Sequence, residues 1–357
     1  MKNKIKNILS ERRLPWFLAI RIKEAQNTFY FLLNRAMNLF CASFNKGTPL
    51  ISFYCGFHGN SGGTFAIANI ANILATKYQV EFVTYPSSNF NRLLNSNIKL
   101  VRNPNFSSSV FVSDAESDHG FFEKLKLLDK RLIITCHCFP YESHGLEPKH
   151  IIKSLSYADK VHFVSSSQQE AFQLEPKKYE IIPNTTKKIN KKTTTNCVGC
   201  VGNLNNIQKN VDESVEIALA SKAEAIHLWS IKKDVWHNKK VIVHDWESDK
   251  EKIYNSFDAL VFMSQLETFG LVVIEAMSAG IPCLLSSIPA FEQFRGCPGV
   301  KIISSNSHDN AAELLNELLV NKNILGEQMK IYFDKTYSEA AIFQQWDNLI
   351  LKTLHVD

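Results

Sequence analysis

Apolar and polar positions along this chain follow two periods that replace each other at regular intervals. From Pro49 onward, short runs rich in Val, Ile, Phe and Tyr give way to stretches with apolar residues three and four apart. "LISFYCGF" reads as a buried strand, "HGNSGG" as the turn after it, and "TFAIANIANILATKY" as a helix. Ala66, Ile67, Ile70, Ile73 and Leu74 form the apolar stripe of that helix. "QVEFVTYP" and "RLIITCHCF" are further strands, and "KHIIKSLSYA", "KVHFVSS", "QQEAFQL" and "YEIIPN" continue the series as helix, strand, helix, strand. Strands separated by helices predict a parallel sheet covered on both faces.

At Thr185 to Asn196, "TTKKINKKTTTN", the chain turns polar and basic, as a linker does. The alternation then restarts. "CVGCVGNL", "AIHLWSI", "KVIVHDW", "DALVFMS" and "IPCLLSS" read as strands, with "VDESVEIALASKA", "SDKEKIYNSF" and "LVVIEAMSAG" as the helices between them. The pattern predicts two Rossmann-like domains, residues 49–190 and 191–337, followed by a helix over 338–357, which is expected to cross back to the first domain.

Composition narrows the class. The chain has 357 residues, 45% of them hydrophobic and 21% charged, which describes two soluble domains with cores of their own. The net charge is a mild +5, but residues 1–48 hold nine Lys or Arg against two Glu. Within that stretch "WFLAI" and "FYFLL" are too short for a membrane span or a signal peptide. It reads as a basic amphipathic helical extension, which either packs on the following domain or rests on an anionic membrane surface. Eight cysteines lie in apolar runs, as buried thiols of a reducing cytoplasm do. Cys197 and Cys200 form a CxxC, and Cys136 and Cys138 flank His137, yet neither cluster has a second ligand pair at zinc spacing. They are read as core. The acidic run Ser113 to Gly120, "SDAESDHG", is read as a solvated loop.

The candidate chemistry sits in "LETFGLVVIEAMSAGIPCLL", from Leu266 to Leu285. "QLET" is the loop at the carboxyl end of a strand, where ligands of open α/β sheets bind. The helix starting near Phe269 aims free N–H groups at the same place and stops at Gly280, with Pro282 beyond. Glu267 is therefore a candidate ligand contact. Glu275 lies two turns on among Val272, Val273, Ile274, Ala276 and Met277, where an unpartnered carboxylate costs several kcal/mol. Either ligand hydroxyls satisfy it or a neighbouring Lys or Arg does.

The two glutamates eight positions apart, the Phe269-Gly270 between them, and "EAM" with Gly280 and Pro282 resemble the signature of retaining glycosyltransferases of family 4. "GGTFAIANIANILA", "ADKVHFVSSS", "IIPN" and "CVGNLNNIQKNVD" follow in the family's order, over roughly residues 50 to 350. Family members of this kind build bacterial polysaccharide and lipopolysaccharide. The resemblance implies the two-domain GT-B fold, with parallel sheets facing an interdomain cleft. It also implies transfer of a sugar from a nucleotide diphosphate to an acceptor hydroxyl with retention and without a metal or cofactor.

Carried onto this chain, Glu267 with Thr268, Phe269 and Gly270 would hold the donor sugar, and Glu275 the ribose. His137 would contact the transferred sugar. Gly62 and Gly63 would let backbone approach the phosphates. Lys209 would neutralise the diphosphate, although without the resemblance it reads as an ordinary solvated lysine. Where the family has an Arg six positions before that Lys, this chain has Asn203, which brings hydrogen bonds but no charge. That departure, and "IPNTT" where the family has Gly after Asn184, keep open a nucleotide-sugar-binding partner of low activity. A GT-B nucleotide-sugar epimerase is a second alternative. The expected partners are a nucleotide sugar, a saccharide or lipid-linked acceptor and an anionic membrane surface, with no nucleic acid. The expected location is cytoplasmic, peripheral on the inner face of the plasma membrane.

Overall fold

In the computed structural model, residues 48–59, 61–140, 148–203, 206–230, 236–304 and 310–355 are described. The basic extension, all but residue 48, lies outside them. The first domain runs β1 (Leu50–Tyr54), α1 (Gly62–Leu74), β2 (Gln79–Val83), α2 (Phe90–Leu93), β3 (Lys99–Val101), β4 (Val110–Asp114), α3 (His119–Leu127), β5 (Arg131–Cys136), α4 (Pro148–Tyr157), β6 (Lys160–Phe163), α5 (Ser166–Phe172) and β7 (Tyr179–Ile181). The second runs β8 (Val198–Gly202), α6 (Val211–Ala220), β9 (Ile226–Ser230), β10 (Val241–Asp245), α7 (Lys250–Tyr254), β11 (Ala259–Phe262), α8 (Leu271–Ala279), β12 (Cys283–Ser286), β13 (Val300–Ile303), α9 (Ala311–Val320) and α10 (Lys322–Thr336). A final helix, α11, spans Glu339–Leu354.

Every strand pairing is parallel. The orders are β3-β2-β1-β4-β5-β6-β7 and β10-β9-β8-β11-β12-β13. In each sheet the chain winds outward one way and then starts again on the other side of its first strand. This leaves a crevice at the carboxyl ends of β1 and β4 in one sheet and of β8 and β11 in the other. Both sheets are sandwiched, so their central strands read as unbroken apolar runs: Ile133, Ile134, Leu260 and Val261 are fully buried.

Helix α11 does not stay with the second domain. Ile342, Trp346, Leu349 and Ile350 join the same apolar cluster as Ile51, Phe53, Ile67 and Ile70 of β1 and α1. Asp347 of α11 fixes the contact, accepting from Lys77 Nζ at 2.7 Å and from the buried Tyr78 hydroxyl at 2.6 Å. The polar stretch at Thr185 to Asn196 forms no helix or strand, as a linker should, but it is pinned down. Thr185 Oγ1 donates to the Tyr337 carbonyl at 2.7 Å, and the Ile189 amide donates to Ser278 Oγ at 3.3 Å.

Three readings from the sequence need correction. Strands β3, β4 and β13 and helices α2 and α3 escaped notice, being short or flanked by serines and charges. Helix α8 begins at Leu271 rather than near Phe269, because Gly270 takes a positive φ of 106° that breaks the turn before it. The run Ser113 to Gly120 is not a solvated loop, since Ser113, Asp114 and Ser117 are buried and only Asp118 is exposed. Asp114 Oδ2 accepts from the Gly56 amide at 2.9 Å, Oδ1 accepts from Ser117 Oγ at 2.9 Å, and Ser113 Oγ donates to the Tyr54 carbonyl. The described cysteines, both expected clusters included, are buried and unpaired.

Candidate active site

A cleft of about 530 Å³ opens where the two switch points face each other, and every residue given a donor-site or catalytic role from the sequence lines it. The first domain contributes the start of α1, the ends of β4 and β5, and His137. From the second come the loops after β8 and β11 and the start of α8.

Ser61 begins α1, its hydroxyl accepting from the Thr64 amide at 3.2 Å. Gly62 and Gly63 follow. A Cβ at Gly63 would come to 3.3 Å from the Cβ of His137, so a side chain here would press on the histidine. Glycine thus serves close approach rather than an unusual backbone angle.

Lys209 ends a short 3-10 turn, Ile207–Lys209, and donates to Glu267 Oε1. Its ammonium also lies 5.5 Å from the centroid of the Phe262 ring. The turn is tied to the loop after β11 by the Gln265 amide, 2.7 Å from the Gln208 carbonyl. Lysine and glutamate are therefore positioned as a unit. Asn203 sits at the end of β8, exposed on the cleft. Among the described residues the ammonium groups lining the cleft are those of Lys209 and Lys250, and no Arg joins them.

Gly270 caps α8 without a side chain, since a Cβ there would lie 2.9 Å from the Phe291 ring. The first-turn amides of α8 consequently have no side-chain cap, and the helix dipole adds positive potential at that spot. Phe269, expected among the donor contacts, is 2% exposed. Its ring stands edge-on to Phe294 and Tyr337 at 5.7 and 6.0 Å, so it anchors the loop in the core. Thr268 offers its carbonyl to Ser165 Oγ at 2.7 Å, a direct bond between the domains.

Glu275 is 7% exposed and has two protein partners. The Tyr254 hydroxyl donates to Oε2 at 2.6 Å and Lys250 Nζ lies 3.3 Å from the same oxygen. Burial, and then Glu275 itself, push the Tyr254 phenol well above its ordinary pKa, so it remains a donor. Lys250 is also 4.9 Å from the Trp246 ring centroid and 5.7 Å from that of Phe65 in the first domain. Sequence reading named the carboxylate but missed Tyr254, Lys250 and Trp246.

His137 follows β5, and burial drops its pKa to about 3, with His162 adding to the effect. Burial likewise holds His162 at about 4. Both values lie below the ordinary 6.5, so on acidification the unfolded chain takes protons that the fold refuses. Their contribution to stability is full above about pH 6.5 and fades as the pH falls toward 4. Asp114 acts the other way. Burial raises it to about 6, which favours the fold at low pH and is lost as the pH rises through 6. Because these opposing slopes overlap, a variant separates them. His162→Phe is expected to lose less of its urea midpoint between pH 7 and pH 5 than the parent. An equal loss in both would show that His162 titrates normally within the fold.

Residues 182–335 match the family "Glycosyl transferases group 1". No curated protein matches the chain. Among solved structures, Anabaena HepE in complex with UDP and glucose superposes with a TM-score of 0.70 at 12% identity, covering 85% of this chain and 100% of that one. A glycosyltransferase from Rickettsia africae gives 0.67 at 12% identity, covering 88% and 100%. The lipopolysaccharide outer core galactosyltransferase WaaB gives 0.62 at 18% identity, covering 85% and 99%. These likenesses show the fold, which is GT-B. Among the described residues no group of three or more His, Cys, Asp or Glu is placed to hold a metal, and no helix is long and apolar enough to cross a membrane.

Proposed function

We propose that the chain is a retaining glycosyltransferase that moves a sugar from a nucleoside diphosphate to a hydroxyl of a saccharide or lipid-linked saccharide, without a metal. The observation that carries this reading is the pairing of Lys209 with Glu267 beside the uncapped start of α8. A departing diphosphate gathers negative charge. Fixed N–H groups and an ammonium held in advance stabilise that charge more than they stabilise the bound donor. Glu267 keeps Lys209 extended into the cleft before the donor arrives, and can then accept from hydroxyls of the sugar. Glu275, held by Tyr254 and Lys250, has acceptor capacity left for the ribose hydroxyls. The UDP-glucose complex of Anabaena HepE supports testing a uridine nucleotide sugar first.

Asn203 favours a second reading, in which the chain binds a nucleotide sugar but turns it over slowly. UDP-, GDP- and dTDP-sugars should be screened for protection against thermal unfolding, and the protecting donor then tested for transfer with the anomeric configuration of the product determined. Lys209→Ala is expected to reduce kcat/KM by an amount equivalent to about 3 kcal/mol, while Asn203→Arg retains or raises it. Protection without transfer would favour the second reading, and protection by no nucleotide sugar would end both.

The basic stretch up to Lys46 supports attachment of the first domain to an anionic surface, each Lys or Arg contributing about 1 kcal/mol there. Salt-sensitive binding to phosphatidylserine vesicles, lost on deletion of residues 1–44, is the expected result. A full chain that ignores such vesicles would refute the attachment.

A further inference from the structure

Behind His137 three polar groups stand in a row. His162 Nε2 lies 2.8 Å from the Ile182 carbonyl, His162 Nδ1 lies 2.8 Å from Thr135 Oγ1, and that hydroxyl lies 2.9 Å from His137 Nε2. Thr135 and His162 are both fully buried, and the Trp346 ring packs 4.6 Å from the His162 ring. The direction of each hydrogen bond follows from what the end group can do. A carbonyl only accepts, so His162 Nε2 carries the hydrogen. Burial keeps His162 uncharged at neutral pH, so its Nδ1 is a lone pair and must accept. Thr135 has a single hydroxyl hydrogen and gives it to that nitrogen. What Thr135 offers to His137 is therefore oxygen lone pairs, and His137 Nε2 must donate. An uncharged imidazole carries one N–H only, which leaves His137 Nδ1 as an acceptor. Among the described residues that nitrogen has no partner, and its ring lines the cleft beside Gly63.

We propose that Thr135 and His162 are positioning residues that lock His137 in the Nε2–H form, so that its Nδ1 lone pair accepts a hydrogen bond from a hydroxyl of the transferred sugar. The tautomer itself follows from this chain's own hydrogen bonds and from the burial that keeps both imidazoles uncharged; the sugar hydroxyl as its donor rests on the glycosyltransferase reading above. An imidazole held this way cannot donate to the departing phosphate, which divides the work of the cleft. Lys209 and the start of α8 serve the phosphates, and His137 serves the sugar.

The test uses the full chain labelled with ¹⁵N-histidine and reads the His137 ring nitrogens without donor, then kcat and KM with it. Wild type and Thr135→Ser are expected to show a protonated Nε2 and a bare Nδ1. The isosteric Thr135→Val removes the hydroxyl and should give a mixture of both tautomers. His162→Phe removes the acceptor, freeing the Thr135 hydrogen to turn toward His137 Nε2, and should shift His137 toward the Nδ1–H form. In transfer assays Thr135→Val should lower kcat about tenfold with donor KM nearly unchanged, and Thr135→Ser should restore it, as expected for one hydrogen bond made to the reacting sugar. A wild-type His137 protonated at Nδ1, or a Thr135→Val variant with the tautomer unmoved, would overturn the lock. The lock with undiminished transfer in Thr135→Val would overturn the role assigned to the sugar hydroxyl. A wild type with the expected tautomer that binds no nucleotide sugar would overturn the functional reading and leave the lock standing.

Discussion

Replacing Glu267 by alanine is expected to abolish measurable sugar transfer, a fall in kcat of at least about 10³-fold. Two losses coincide in this variant. On the proposed reading the sugar loses an acceptor for its hydroxyls, and Lys209 loses the carboxylate that holds its ammonium in place. Glu275→Ala should behave differently, since that side chain is tied to Tyr254 and Lys250 and, on the proposed reading, serves the nucleotide rather than the reacting carbon. Its expected signature is a raised donor KM with kcat reduced far less. The comparison is therefore a ratio of effects. If both variants keep wild-type kcat and KM, the donor is not held by this loop and helix.

The largest effect on stability is expected at Trp346. This side chain is fully buried between the first sheet and α1, and large aromatic-to-alanine changes in cores cost about 3–5 kcal/mol. One feature moves the expectation to the lower end of that range. Among the described residues the indole N–H has no hydrogen-bond partner, so removing it also removes a buried unsatisfied donor. Trp346→Phe should for the same reason cost clearly less than Trp346→Ala, since it keeps much of the apolar area and leaves a smaller cavity. Urea unfolding followed by circular dichroism measures both. A loss for Trp346→Ala within about 0.5 kcal/mol of zero, the range of surface changes, would mean that α11 does not carry the first domain's core.

Where the sequence was legible, burial and local pattern agreed. Helix α8 is apolar nearly all round, and it proved buried nearly all round, with Gly280 at its end in the left-handed conformation. The signature residues could be placed in one loop because strand, loop and helix are contiguous. What stayed hidden was set by partners far away in the chain. Glu275 announced that it needed satisfaction, but Tyr254 and Lys250 lie 21 and 25 residues earlier in a segment with no distinctive pattern. The end of β4 looked solvated because Ser113, Asp114 and Ser117 are polar. Their burial depends on backbone groups near Tyr54 to Phe57, almost sixty residues earlier, which composition cannot see. Thr135 and His162 were missed for the same reason. Each looks unremarkable in its own strand, and only the neighbouring register of β5 and β6 sets them side by side.

The return of α11 to the first domain also fixes an order of events. The last strand of the first sheet ends at Ile181, while the helix that completes one face of its core begins at Glu339. At a synthesis rate of about 5–20 residues per second, roughly 10–30 s separate the two. Throughout that interval the nascent first domain presents to water the apolar surface later covered by Ile342, Trp346, Leu349 and Ile350. The second domain, whose elements run contiguously from β8 to α10, closes its own core during the same wait. The half of the molecule made first is thus the half that finishes folding last.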